Sequence, residues 1–282
     1  MKKPDLKYKV IINPKNRLSV AYFLELIRYR DLLYFLIHKE IAVLYKQTVL
    51  GFAWAILRPL FSMVIFSIVF GRLANMPSDG VPYPIFSYVA LVPWTYFSTA
   101  MTKSSLSLIS FSGIFTKVYF PRVFIPVVPT VAGLVDFAIA LSITIFLMIY
   151  YGIMPNFNLI ILPYLVVIMV LFSAGIGFFL SALSIQYRDI RNGIQFLVQL
   201  LMYATPVVWP VSLLSEKFGE DVMNIYCFYP MVGVIEGFRS ALIGTTSIPW
   251  NMIFPGTLSS VAIFIFGMIY YSRKEKTFAD VA

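Results

Sequence analysis

The sequence predicts an all-α integral membrane protein with six transmembrane helices, and three observations carry that prediction. The chain is 60% hydrophobic and only 12% charged, about half of the ~25% charged share of ordinary globular domains. Apolar stretches matched to a bilayer recur at about 49–71, 85–102, 127–151, 159–185, 194–211 and 254–271, since a membrane helix needs ~20 predominantly apolar residues. Lys and Arg are unevenly distributed. Six spans place both chain ends on one face, which carries 18 of the 22 basic residues, against Arg72, Lys217 and Arg239 on the other. Cytoplasmic loops hold the excess of basic residues, so both termini are expected in the cytoplasm.

Residues 1–19 form a basic arm with Pro4 and Pro14 and no apolar core of the kind a signal peptide needs. Residues 20–48 have helical periodicity. Leu26, Leu33, Ile37, Ile41 and Leu44 fall on one face and Arg28, Asp31, His38, Lys39 and Lys46 on the other. Arg30 and Phe35 break the pattern. Such a helix lies in the headgroup plane or packs on a cytosolic surface. The first span, 49–71, holds a cation, Arg58, directly before Pro59.

The second span is the most polar, with Ser87, Pro93, Thr95, Ser98 and Thr99, and should face protein or a pathway rather than lipid. The loop 103–122 carries Lys103, Lys117 and Arg122 without an acid. Span three contains Asp136, span four Pro163, Gly175 and Gly177, and span five ends in TPVVWP, where Pro206 and Pro210 should break the helix. Segment 212–250 is too apolar for a loop. Pro230, Gly233 and Gly237 interrupt it, and Glu236 and Arg239 charge it. Two half-helices dipping into the outer leaflet, or a loop capping the bundle, would satisfy it. The last span, 254–271, is followed by a short tail, 273–282.

Intrinsic chemistry is not expected. No G-x-x-x-x-G-K-[ST] occurs, so the chain has no P-loop for ATP. No His, Cys or carboxylate cluster has metal-ligand spacing, and no catalytic residue or bound cofactor is expected. The single Cys227 reads as a packing residue. The net charge of +9 follows from membrane topology and is not taken as a nucleic-acid signal.

RYRDLL (28–33), LYKQTVLGFAWAILRPL (44–60), LVPWTYFSTA (91–100), TKVYFPR (116–122), YRDIRN (187–192), TPVVWP (205–210) and YPMVGVIEGFRSALIG (229–244) together carry a resemblance. Over residues 20–272 the chain resembles the transmembrane permease subunit of ABC-2-type exporters of O-antigen, capsular glycan and teichoic acid. The resemblance implies a homodimer in the bacterial inner membrane, joined to two copies of a P-loop ATPase that binds ATP and Mg. It also implies an amphipathic interface helix, a coupling helix between spans two and three, re-entrant helices before span six, and a polyprenyl-pyrophosphate-linked glycan as cargo. The alternatives are an ABC-2 exporter of a small lipid or drug, or a proton-coupled flippase using Asp136.

Candidate residues follow. Lys46 and Arg58 are positioned to hold a lipid pyrophosphate, although Arg58 can also snorkel to the headgroups. Phe111, Ile114, Phe115, Lys117 and Arg122 are candidates for ATPase coupling, as are Arg188 and Arg191, which equally suit positive-inside anchoring. Asp136 is a structural partner of hydroxyls or Arg58, or a proton relay. Trp54, Trp94, Tyr96, Phe97, Tyr203, Trp209, Phe228 and Tyr229 form interfacial belts, or line a channel with flat faces that suit sugar rings.

Overall fold

A computed structural model describes residues 26–46, 51, 53–115, 120–154, 156–244, 246–275 and 278, with Ile114 and Phe115 in backbone only. The basic arm, Lys117 and the end of the tail lie outside the described residues. All described secondary structure is helical. The interface helix α1 spans Arg30–Tyr45 and α2 spans Ala53–Phe66, continuing through a π-helical stretch, Ser67–Leu73. The chain then forms α3 (Tyr83–Ser110), α4 (Phe124–Tyr150), α5 (Leu162–Ser184), α6 (Arg188–Tyr203), α7 (Val211–Tyr226), α8 (Pro230–Leu242) and α9 (Trp250–Lys274).

Four stretches are long and apolar enough to cross a membrane by length and composition: Ala53–Leu73, Phe124–Tyr150, Phe157–Ser184 and Trp250–Lys274. Helix α3 is as long, but its Pro, Tyr, Ser and Thr residues lower its apolarity. It is the central post of the bundle, with every residue from Ile85 to Trp94 buried between α4, α5 and α8. This agrees with the expectation that the most polar span faces protein.

Helix α3 ends at Ser110 rather than at 102, so Lys103 belongs to a helix and not to a loop. Nothing between Trp94 and Ser110 breaks the helix, and its hydroxyls find acceptors. Ser105 Oγ donates to the Met101 carbonyl at 2.7 Å, Ser104 Oγ to Pro126 at 2.7 Å, and Ser184 Oγ to Ser105 at 2.7 Å. Helix α6 starts at Arg188 and stops at Tyr203, earlier than the expected 194–211 stretch. Thr205 precedes Pro206, and a residue before proline is disfavoured in helical geometry. Its 16 residues give roughly 24 Å, less than the ~30 Å hydrocarbon core.

Two packed clusters hold the bundle. One joins α3, α5 and α8 through residues such as Phe97, Phe172 and Phe238. The other lies where the chain ends meet, and combines Leu36 of α1, Leu108 of α3, Phe120, Phe178 of α5, and Tyr271 and Phe278 beside the end of α9. Tyr271 Oη donates to the Arg122 carbonyl at 2.8 Å, and Arg122 donates to the Glu275 carbonyl at 2.9 Å. Both ends of the described chain therefore sit at one end of the bundle, here called the terminal end. On α1 the inward face centres on Leu36, with Leu32, Leu33 and Ile37 beside it. Tyr34, Phe35 and Val43 remain exposed on its other side.

Helices α5 and α9 cross closely because both carry small residues at the contact. A methyl group on Gly175 would lie 2.7 Å from the Phe264 backbone. In membranes, where lipid offers no hydrophobic drive between helices, such close backbone approach supplies much of the attraction. Gly175→Ala should therefore separate α5 from α9 and destabilise the purified protein by ~1–3 kcal/mol. Thermal unfolding in detergent should show a clear drop, and an unchanged midpoint would mean that the crossing is not tight.

Candidate functional site

A cavity of ≈ 380 Å³ opens between α1, α2, α3 and α4. It lies toward the terminal end, where α1 and α2 meet, α3 ends and α4 begins. Its wall includes Tyr45, Trp54, Arg58, Tyr96, Lys103 and Asp136. Four of the sequence-predicted residues, Trp54, Arg58, Tyr96 and Asp136, thus converge from three helices, although 78 positions separate Arg58 from Asp136 in the chain.

Each polar group in the wall has a local cause. Pro59 has no N–H for the Ala55 carbonyl, which loosens the α2 ladder beside the cavity. The Arg58 guanidinium stands over the Trp54 ring, 5.8 Å from its centroid, a cation–π contact that holds its head against the wall. Tyr45, at the last turn of α1, donates its hydroxyl to Asp136 Oδ1 on α4. The Asp136 carboxylate therefore accepts from a hydroxyl on another helix. Lys103 projects from α3 within the fields of Glu40, Asp136 and Arg58. Sequence reading missed Lys103 as a site residue because it closed the span at 102, about two turns before the helix ends at Ser110. Tyr45 was missed because its partner is remote in sequence.

Lys46 is exposed and is not part of the cavity wall. It caps α1, with its N–H donating to the Ala42 carbonyl at 2.8 Å. The aromatic candidates divide. Trp94 and Phe97 are buried inside the subunit, and Phe97 stacks on Phe172 at 4.9 Å between centroids. Tyr96 donates to the Thr130 carbonyl at 2.9 Å and turns its ring edge toward Phe137. Tyr203 and Phe228 are exposed, and Trp209 stacks on Tyr226. Tyr229 shares a 2.9 Å hydrogen bond with Thr205.

The coupling candidates also divide. Phe111 packs against the terminal-end cluster, next to a helical turn at Ser112–Phe115. Arg122 is tied to the C-terminal segment, and Arg191 caps α5 by donating Nε–H to the Ser184 carbonyl at 3.1 Å. Arg188 is exposed at the start of α6. The side chains of Ile114, Phe115 and Lys117 lie outside the described residues.

At the opposite end, segment 212–250 resolves into α7, mostly exposed and bent at Gly219 (φ 79°), and α8, buried along almost its whole length. Arg239 of α8 is buried. It pairs with Glu236 at 2.6 Å and donates to the carbonyls of Val207 and Trp209 at 3.0 and 3.4 Å. Tyr83 donates to the Val208 carbonyl between them, and Tyr226 to Ala204, both at 2.7 Å. The carbonyls of Ala204, Val207, Val208 and Trp209, beyond the end of α6, thereby gain donors. Arg239 also faces the Phe86 ring at 3.7 Å. Glu236 lines a second cavity of ≈ 540 Å³ with Asp79 and Glu220. Breaking a buried pair by truncating one partner typically costs ~3–5 kcal/mol. Arg239→Ala should abolish monodisperse purification, and Arg239→Lys, which lacks the fork, should rescue only part of it. Wild-type behaviour of Arg239→Ala would refute the clamp.

The ABC-2 type transporter family matches residues 31–243. The O-antigen export system permease protein RfbA of Myxococcus xanthus is 27% identical over 256 residues, covering 89% of this chain and 96% of that protein. An RfbA of Klebsiella pneumoniae is 23% identical over 252 residues, covering 89% and 95%. The polysialic acid transport protein KpsM of Escherichia coli is 22% identical over 245 residues, covering 84% and 91%.

Proposed function

The chain belongs to the ABC-2 type transporter family, and from that premise we propose that it is the membrane-spanning permease of a polysaccharide exporter. Its cargo in this reading is a glycan on a lipid carrier, moved across the bacterial cytoplasmic membrane. The observation that carries the proposal is the near full-length similarity to O-antigen and polysialic acid permeases. In this reading the terminal end faces the cytoplasm, because it gathers the excess of Lys and Arg. Four stretches suited to crossing, with α3 and α6, make up six passes, and α7 and α8 enter from the outer face and return.

Energy comes from a separate P-loop ATPase, since this chain carries no P-loop of its own. Two copies of each subunit form the exporter, and the segment 103–122 with Arg188 meets the ATPase. Apolar residues on the free side of α2, among them Phe61, Ile65 and Ile68, provide the surface on which two copies join. Exposed aromatic residues such as Tyr203 and Phe228 then offer flat faces along the glycan path.

Depleting this chain in its host should strip surface glycan and leave the lipid-linked polymer inside the cell. Complementation should require both the chain and its ATPase. Normal surface glycan together with loss of a small exported lipid would point instead to a lipid exporter of the same architecture.

A further inference from the structure

The cavity between α1, α2, α3 and α4 contains more than the cation read from the sequence. Arg58 and Lys103 reach it from α2 and α3, and neither has a hydrogen bond or a carboxylate within ion-pair distance among the described residues. Arg58 is exposed at the cavity mouth and Lys103 is half-buried; two cations that share one wall without a carboxylate partner repel each other, so their arrangement is relieved by an anion. The natural internal anion, Asp136, lines the same cavity, but its carboxylate accepts the Tyr45 hydroxyl instead. Glu40 of α1 is the other acid whose field reaches Lys103, and it too stays outside ion-pair distance.

We propose that Arg58 and Lys103 together bind the diphosphate of the lipid carrier, and that Tyr45 keeps them available by holding Asp136 away. The inference rests on the lipid-linked cargo proposed above. The two cations divide the work by their chemistry. The planar guanidinium presents paired donors to one phosphate, while the ammonium acts as a compact point charge on the other. The Trp54 ring fixes the guanidinium on one side. Tyr45 is a positioning residue, since it acts on the anion through Asp136. It also ties the interface helix to α4, so that one hydrogen bond links the diphosphate site to the seating of α1.

The test uses the full chain in lipid nanodiscs, with polyprenyl pyrophosphate, inorganic pyrophosphate and phosphatidylglycerol as separate probes. Polyprenyl pyrophosphate should bind, inorganic pyrophosphate should compete weakly, and phosphatidylglycerol should not compete. Lys103→Gln should weaken binding by about tenfold, near 1.4 kcal/mol, and Lys103→Arg should retain it. Tyr45→Phe frees Asp136 to neutralise the cations and should weaken binding by a similar factor. Tyr45→Phe combined with Asp136→Asn should restore it, an outcome that a merely structural hydrogen bond would not produce. Equal weakness of the single and double variants overturns the role of Tyr45, and wild-type binding by Lys103→Gln overturns the site while leaving the export reading intact. Competition by phosphatidylglycerol reassigns the anion to a bilayer lipid and overturns the carrier assignment. No binding by the unaltered chain removes both the site and the lipid-diphosphate cargo.

Discussion

The half of this molecule away from the terminal end depends on donors for four carbonyls. Where α6 stops at Tyr203, the chain crosses the 205–210 turn without helical hydrogen bonds, and of its acceptor residues Val207 is buried and Val208 and Trp209 are half-buried. Unpaired backbone groups at such depth cost several kcal/mol each. Arg239, Tyr83 and Tyr226 supply the donors from three different helices. Because Arg239 reaches the turn from α8, the turn can be buried only when α8 is inside the bundle. The same side chain neutralises Glu236 and faces the Phe86 ring, which ties α8 to α3. One buried guanidinium thus decides how the break in α6, the central post and the buried helix before α9 fit together.

At the terminal end the organisation is looser and more polar. There α1 is attached by an apolar face centred on Leu36 and by the Tyr45–Asp136 hydrogen bond. The space left between α1 and the first crossing helices is the cavity with Arg58 and Lys103. The hollow at this end presents two cations, whereas the cavity at the other end is lined by Asp79, Glu220 and Glu236, so the two ends differ in charge. In the proposed reading, this difference sets the site for the anionic carrier beside α1.

Much of this architecture was legible in the sequence. Length and apolarity located four crossing stretches within a few residues, because nothing competes with hydrophobic drive over 20 residues of Val, Ile, Leu and Phe. Pro206, Pro210 and Pro230 marked the breaks correctly, since a missing N–H and a fixed φ act locally. Side-chain roles were less legible where partners are distant. Arg239 was legible only as a charge within an apolar segment, whereas its partners include carbonyls about thirty residues earlier in the chain. Lys103 was assigned to a loop because lysine ends most apolar windows, but serines that bond to their own helix and to its neighbours carried α3 two turns further. Trp94 and Phe97 looked like pathway aromatics, and a central helix buries them on all sides. Periodicity cannot tell a lining residue from a core residue when the whole helix is enclosed.

In the proposed function this chain moves a lipid-linked glycan by drawing on ATP hydrolysis in a partner. The most direct measurement reconstitutes the full chain with its ATPase in sealed vesicles loaded with lipid-linked polysaccharide on one leaflet. The amount of glycan accessible to a hydrolase on the opposite side is then followed over time. The account predicts that glycan crosses only with both subunits and hydrolysable ATP, and that an imposed proton gradient has no effect. Glycan crossing with this chain alone, driven by the proton gradient, would contradict it.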